Sequence, residues 1–159
     1  MKQIIGDFRK NKVLKFYVII FAAINIIYLY FEILKSQYIQ KHQLLEGTLG
    51  VDQFQYLARI SKVTSFLEVI IILIYLGYMI KVLFKKDILN MKQLVSMNFI
   101  LFTCIVILNG MVSFVFSAPV GNLMQPLFIP SQITFMVLIC LIGIEIYIKI
   151  RKSFRTTES

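Results

Sequence analysis

Tryptophan is absent from these 159 residues, histidine occurs once, cysteine twice and proline three times. The lone His42 has no second histidine or cysteine nearby, so it lacks metal-ligand spacing and reads as a solvated loop residue. One histidine in a loop also leaves a nucleophilic triad without its base. No GxSxG turn and no HExxH helix is present. Cys104 and Cys140 form no CxxC pair and lie at nearly the same depth of two apolar segments, where inert packing is expected. Charge is also scarce, at 16% of residues, and acids are outnumbered 8 to 17 by bases. With 58% hydrophobic residues and a mean hydropathy of +0.80, the chain lies outside the range of soluble domains. No stretch remains for a soluble catalytic domain.

What is present is apolar length. A bilayer core about 30 Å thick takes roughly 20 apolar residues per helix. Four windows meet that length, at about Phe16–Leu34, Val63–Phe84, Leu94–Ser117 and Leu127–Ile148. The expected fold is all-α: one four-helix transmembrane bundle over residues 1–159, with an outer loop at 35–62 and two short connections that make antiparallel neighbours. The N-terminal run is too long for the core of a signal peptide, and no small-residue cleavage site follows it. It reads as a retained first span.

The basic residues give the orientation. Lys2, Arg9, Lys10, Lys12 and Lys15 precede span one; Lys81, Lys85, Lys86 and Lys92 surround the second connection; Lys149, Arg151, Lys152 and Arg155 follow span four. The first loop carries only Lys35, Lys41, Arg59 and Lys62, and the third connection carries no charge. Thirteen against four places both termini in the cytoplasm by the positive-inside rule, in a multi-pass protein of the plasma membrane. The same placement explains the net charge of +9, because these cations meet anionic lipid. No basic patch interleaved with aromatics exists, so nucleic acid is not the expected partner.

Polar residues inside the spans are the remaining signal. Asn25 and Glu32 lie seven apart on one face of span one, flanked by Ala22 and Tyr28, with Ile20, Ile27 and Leu34 opposite toward lipid. Tyr28 and Tyr30 are placed to anchor the outer interface. In span two, Ser61, Thr64, Glu68 and Tyr75 share a stripe within about 60°. In span three, Ser96, Thr103, Gly110, Ser113 and Ser117 form a small, weakly polar side, and Ser113-x-x-x-Ser117 permits close helix approach. Pro126 and Pro130 suit the first turn of span four, and Glu145 precedes Lys149 by the favourable four residues. The segment Asp52–Ile60, begun by an N-cap aspartate after the turn signal at 46–50, forms a helix on the outer leaflet or runs unbroken into span two. Phe54, Leu57, Ala58 and Ser61 share its one face.

Glu32 and Glu68 are the sharpest feature, both toward the outer ends of their spans. They can meet each other, pair with Lys35 and Lys62, or bind a cation, a proton or a partner's basic group. Paired-carboxylate proteases with four spans use aspartates in recognisable motifs; these acids are glutamates without one, and no enzyme is expected. The sequence calls for no cofactor and no metal. The tryptophan-free, lysine- and isoleucine-rich vocabulary resembles that of low-GC Gram-positive bacteria. Small four-span proteins of that setting are often immunity proteins or accessory subunits of transporters and secretion machines. The expectation is therefore a lipid-embedded protein that binds a membrane or secreted protein partner, with Glu68, Glu32, Asn25 and Tyr75 as binding candidates. The competing reading is a homo-oligomeric small transporter or channel that uses an intramembrane carboxylate. Its weakness is the lack of inverted repeats and of a carboxylate at the membrane centre.

The charge partition generates a direct test. Leu44→Cys and Asn122→Cys should react with an impermeant thiol reagent added outside intact cells, whereas Ile5→Cys, Ile88→Cys and Thr157→Cys should not. External labelling at position 88 would reverse the orientation.

Overall fold

The apolar windows form helices that outlast them. The computed structural model describes residues 12–42, 50–84 and 88–157. It contains α1 (Lys12–Lys41), α2 (Val51–Phe84), α3 (Ile88–Phe116) and α4 (Val120–Thr157). All four are long and apolar enough to cross a membrane. Large apolar side chains such as Phe16, Ile19, Phe66, Leu73 and Phe114 point outward around the bundle, a surface suited to lipid and not to water.

Helix lengths correct the expected outer loop. α1 continues to Lys41 and α2 begins at Val51, so most of 35–62 is helical. The Asp52–Ile60 segment is the start of α2, not a separate outer-face helix. Leu57 and Ala58 of its apolar face are half-buried, while Phe54 and Ser61 are exposed. Tyr38 holds the paired ends together, its ring 4.3 Å from Tyr56 and 4.5 Å from His42. The turn signal at residues 46–49, and Lys2, Arg9, Lys10, Lys85 and Lys86, lie outside the described residues.

The packing follows two hairpins placed face to face. α1 packs most against α2 and α3 against α4; α1 also meets α3, and α2 meets α4. The short second connection was expected to make α2 and α3 neighbours, yet they lie across the diagonal with little contact. Polar pairs explain the preference. The Tyr17 hydroxyl of α1 donates to Asn98 Oδ1 of α3 at 2.9 Å. Tyr75 of α2 and Thr134 of α4 share a hydrogen bond of 2.8 Å. Between them the axis is filled by Phe21, Ile71 and Tyr75, with Tyr17 stacked on Tyr78 at 4.5 Å.

Face by face, the expectations fare unequally. Asn25 and Glu32 face inward, and Ile27 outward. Ile20 and Leu34 are half-buried, because α1 is flanked by both α2 and α3 and its covered arc is wide. Tyr28 is buried in the bundle, unlike Tyr30, and is no interface anchor. On α3 the inward positions are Leu94, Val95, Asn98, Leu101, Phe102, Ile105 and Asn109, so Thr103 and Gly110 of the small-residue stripe face outward. Cys104 and Cys140 are exposed on the outer surface, not packed inside. Ser117 is not helical; with φ 50° it opens the turn to α4, where Ser113 Oγ donates to the Ala118 carbonyl at 2.5 Å. Glu145 pairs with Lys92 of α3, not with Lys149 of its own helix. Both side chains are near half-exposed, so the pair contributes little.

Asn98 is fully enclosed, and its Nδ2 has no hydrogen-bond partner. A buried amide left half-satisfied is sensitive to loss of its one bond. Tyr17→Phe should cost about 1–2 kcal/mol in detergent unfolding. Adding Asn98→Leu should recover most of that loss, since two matched apolar groups leave nothing unpaired. Simple additivity of the two changes would refute the pairing.

Candidate functional site

The N-terminal half of α4 determines the site. Helix α4 starts at Val120, seven residues before the expected boundary, so Pro126 and Pro130 sit inside it and not in its first turn. A proline has no N–H and its ring crowds the carbonyl four residues earlier. For Pro126 that carbonyl belongs to Asn122. In an apolar surrounding it needs another donor, and the Tyr28 hydroxyl supplies one at 2.8 Å. The next carbonyl, of Leu123, accepts from Asn109 Nδ2 at 2.7 Å. On the other side of the turn, Gln40 Nε2 donates to the Ser117 carbonyl at 3.0 Å. α4 is thus anchored by side chains of α1 and α3.

The same hydroxyl lies 3.1 Å from Glu68 Oε1, so its single proton is shared between the Asn122 carbonyl and the carboxylate. Gln125 Nε2 donates to the other oxygen, Oε2, at 3.3 Å. Glu68 is half-buried and opens into a groove of about 610 Å³ between α2 and α4. Ile72 of α2 and Gly121, Met124 and Phe128 of α4 form its largely apolar walls. Both donors to Glu68 are neutral, and among the described residues no lysine or arginine forms an ion pair with it. Lys62, six residues earlier, is turned by about 240° around the helix.

Glu32 is treated differently by the same bundle. It is only 3% exposed and pairs at 2.5 Å with Lys35, one turn ahead on α1. No hydrogen bond joins it to Glu68 among the described residues, so the two acids do not form a dyad. Asn25 is buried and donates to the Phe21 carbonyl of its own helix at 2.7 Å. Tyr75 is enclosed with Thr134. Of the four sequence candidates Glu68 opens into the groove between α2 and α4. Its companions Tyr28, Gln125 and Gly121 were not singled out as site residues. The available signal was Pro126, whose ring marks the Asn122 carbonyl as needing a donor from outside the helix.

No three histidine, cysteine, aspartate or glutamate side chains cluster to hold a metal among the described residues. The class defined by the fold is a multi-pass helical membrane protein. Comparison with protein families, with characterised proteins and with solved structures gave no match.

Tyr28 therefore joins an acid to a released carbonyl. Tyr28→Phe should destabilise the bundle by about 1–3 kcal/mol. Pro126→Ala returns an N–H to the Asn122 carbonyl and should restore part of the loss in that background. Measured unfolding in detergent decides: an equal loss with and without Pro126→Ala would remove the proline from the account.

Proposed function

We propose that this chain is a non-enzymatic binding protein of the bacterial plasma membrane, with both termini cytoplasmic, that acts on a protein partner through the outer end of its bundle. An immunity-type or accessory-subunit role fits that reading. The observation that carries it is Glu68: a carboxylate in an open, apolar-walled groove, held by two neutral donors and uncompensated by a cation among the described residues. Desolvating a carboxylate is costly, and a basic group brought from outside offsets the cost. The filled axis of the bundle, with Phe21, Ile71 and Tyr75 fully enclosed, favours binding over conduction through a single copy.

Glu68→Gln keeps the shape and the hydrogen-bonding capacity but removes the charge. Affinity capture in mild detergent should recover a co-purifying protein with the parent chain and several-fold less with the variant, at equal expression and thermal stability. A carrier would instead lose ion-dependent uptake in proteoliposomes, with no partner required. A variant normal in both assays would return Glu68 to a structural role and withdraw the proposal.

A further inference from the structure

The groove at Glu68 has a depth, a shape and a charge, and together they restrict its occupant. Along α2, Lys62 and Lys81 are 19 residues apart, about 28 Å of helix and close to the thickness of a bilayer core. Glu68 lies six residues, or about 9 Å, inside that span. Glu68 therefore lies at a level where lipid chains surround the protein, within reach of a segment that is itself embedded in the membrane. Its α4 wall runs from Gly121 to Ile129, about 12 Å or two helical turns. At Gly121 the wall is backbone alone, and a Cβ there would meet no heavy atom within 4 Å. Small residues of this kind let a second helix approach closely. Phe128 presents an exposed ring along the same wall, suited to the face of a cation.

Charge complementarity completes the argument. A carboxylate accepts about four hydrogen bonds, and Glu68 receives one from Gln125 and a share of the single Tyr28 proton. The remaining lone pairs suit the several N–H groups of an ammonium or guanidinium. A single lysine or arginine inside an apolar helix carries its own penalty, about 2.5–3.5 kcal/mol at mid-span. One contact relieves both.

We propose that the groove between α2 and α4 seats a membrane-embedded helix of the partner, which presents one lysine or arginine to Glu68. This rests on the protein-binding reading above and specifies the partner segment. The seat is the gap over Gly121, and Glu68 supplies the selection.

The test uses the full chain in lipid nanodiscs with synthetic probes. One probe is a 20-residue leucine–alanine helix with a single lysine six residues from one end; the other has leucine at that position. Fluorescence transfer should show the lysine helix binding about tenfold more tightly, and Glu68→Gln should bring the two near parity. Gly121→Leu should fill the seat and weaken both helices, since a Cβ there enters open space; thermal unfolding measured alongside shows that the bundle stays folded. A parent chain that binds both helices equally, or a lysine preference that survives Glu68→Gln, would overturn the proposal. So would Glu68-dependent binding of dodecylammonium without any preference between the helices, which would assign the groove to a small cationic amphiphile. Partner capture that still depends on Glu68 while the synthetic helices show no preference would sink the helix seat and leave the protein-binding reading standing.

Discussion

One carbonyl organises the half of this bundle that holds the turn between α3 and α4. Pro126 deprives the Asn122 oxygen of its helical donor. The Tyr28 hydroxyl meets that need from α1, and the same oxygen atom lies against the Glu68 carboxylate of α2. Three helices are therefore fixed relative to one another by one phenol. The orientation of Glu68 follows, because Tyr28 holds one of its oxygens and Gln125, one residue before the proline, holds the other. The groove is what remains between α2 and the N-terminal turns of α4 once those contacts are made.

Between apolar helices in lipid the hydrophobic effect offers little discrimination, since tails are as apolar as leucine. Specificity comes from polar pairs and from shape. Two of the pairs here, Tyr17 with Asn98 and Tyr75 with Thr134, join one hairpin to the other and not the two helices within a hairpin. They set the register between hairpins and account for the diagonal placement of α2 and α3 despite their short connection. The Asn98 amide, enclosed and only half-satisfied, shows that the arrangement retains a local cost. Such a group is tolerated where its alternative, moving outward, would break the Tyr17 bond and expose an amide to lipid.

The four spans were legible because apolar length is a one-dimensional property, and the inward placement of Asn25 and Glu32 because helical periodicity is local. The helix ends were less so. Hydropathy marks where a chain leaves the bilayer, not where its backbone ceases to be helical, so α1 and α2 overrun the apolar windows. At α4 the prolines suggested a start, but a helix can contain proline when a neighbouring side chain supplies the missing donor. Asn98, Gln125 and the Lys92–Glu145 pair were illegible for a different reason. Each depends on which helix comes opposite, and periodicity within one segment carries no information about that.

The contrast between Glu32 and Glu68 turns on the same distinction. Glu32 has Lys35 three residues ahead, so helical geometry alone brings the two side chains together, and any bundle containing α1 inherits a neutral pair. Glu68 has Lys62 six residues behind, on another face, and its near neighbours in the fold are a phenol and an amide that orient the carboxylate without cancelling its charge. Local sequence therefore internalises one charge and leaves the other to tertiary structure, which answers it with hydrogen bonds only. A carboxylate so arranged has fixed direction and open capacity. These are the two properties that a recognition group inside a membrane requires: direction, because low dielectric penalises poorly aligned ion pairs, and capacity, because a group already neutralised has nothing to select with.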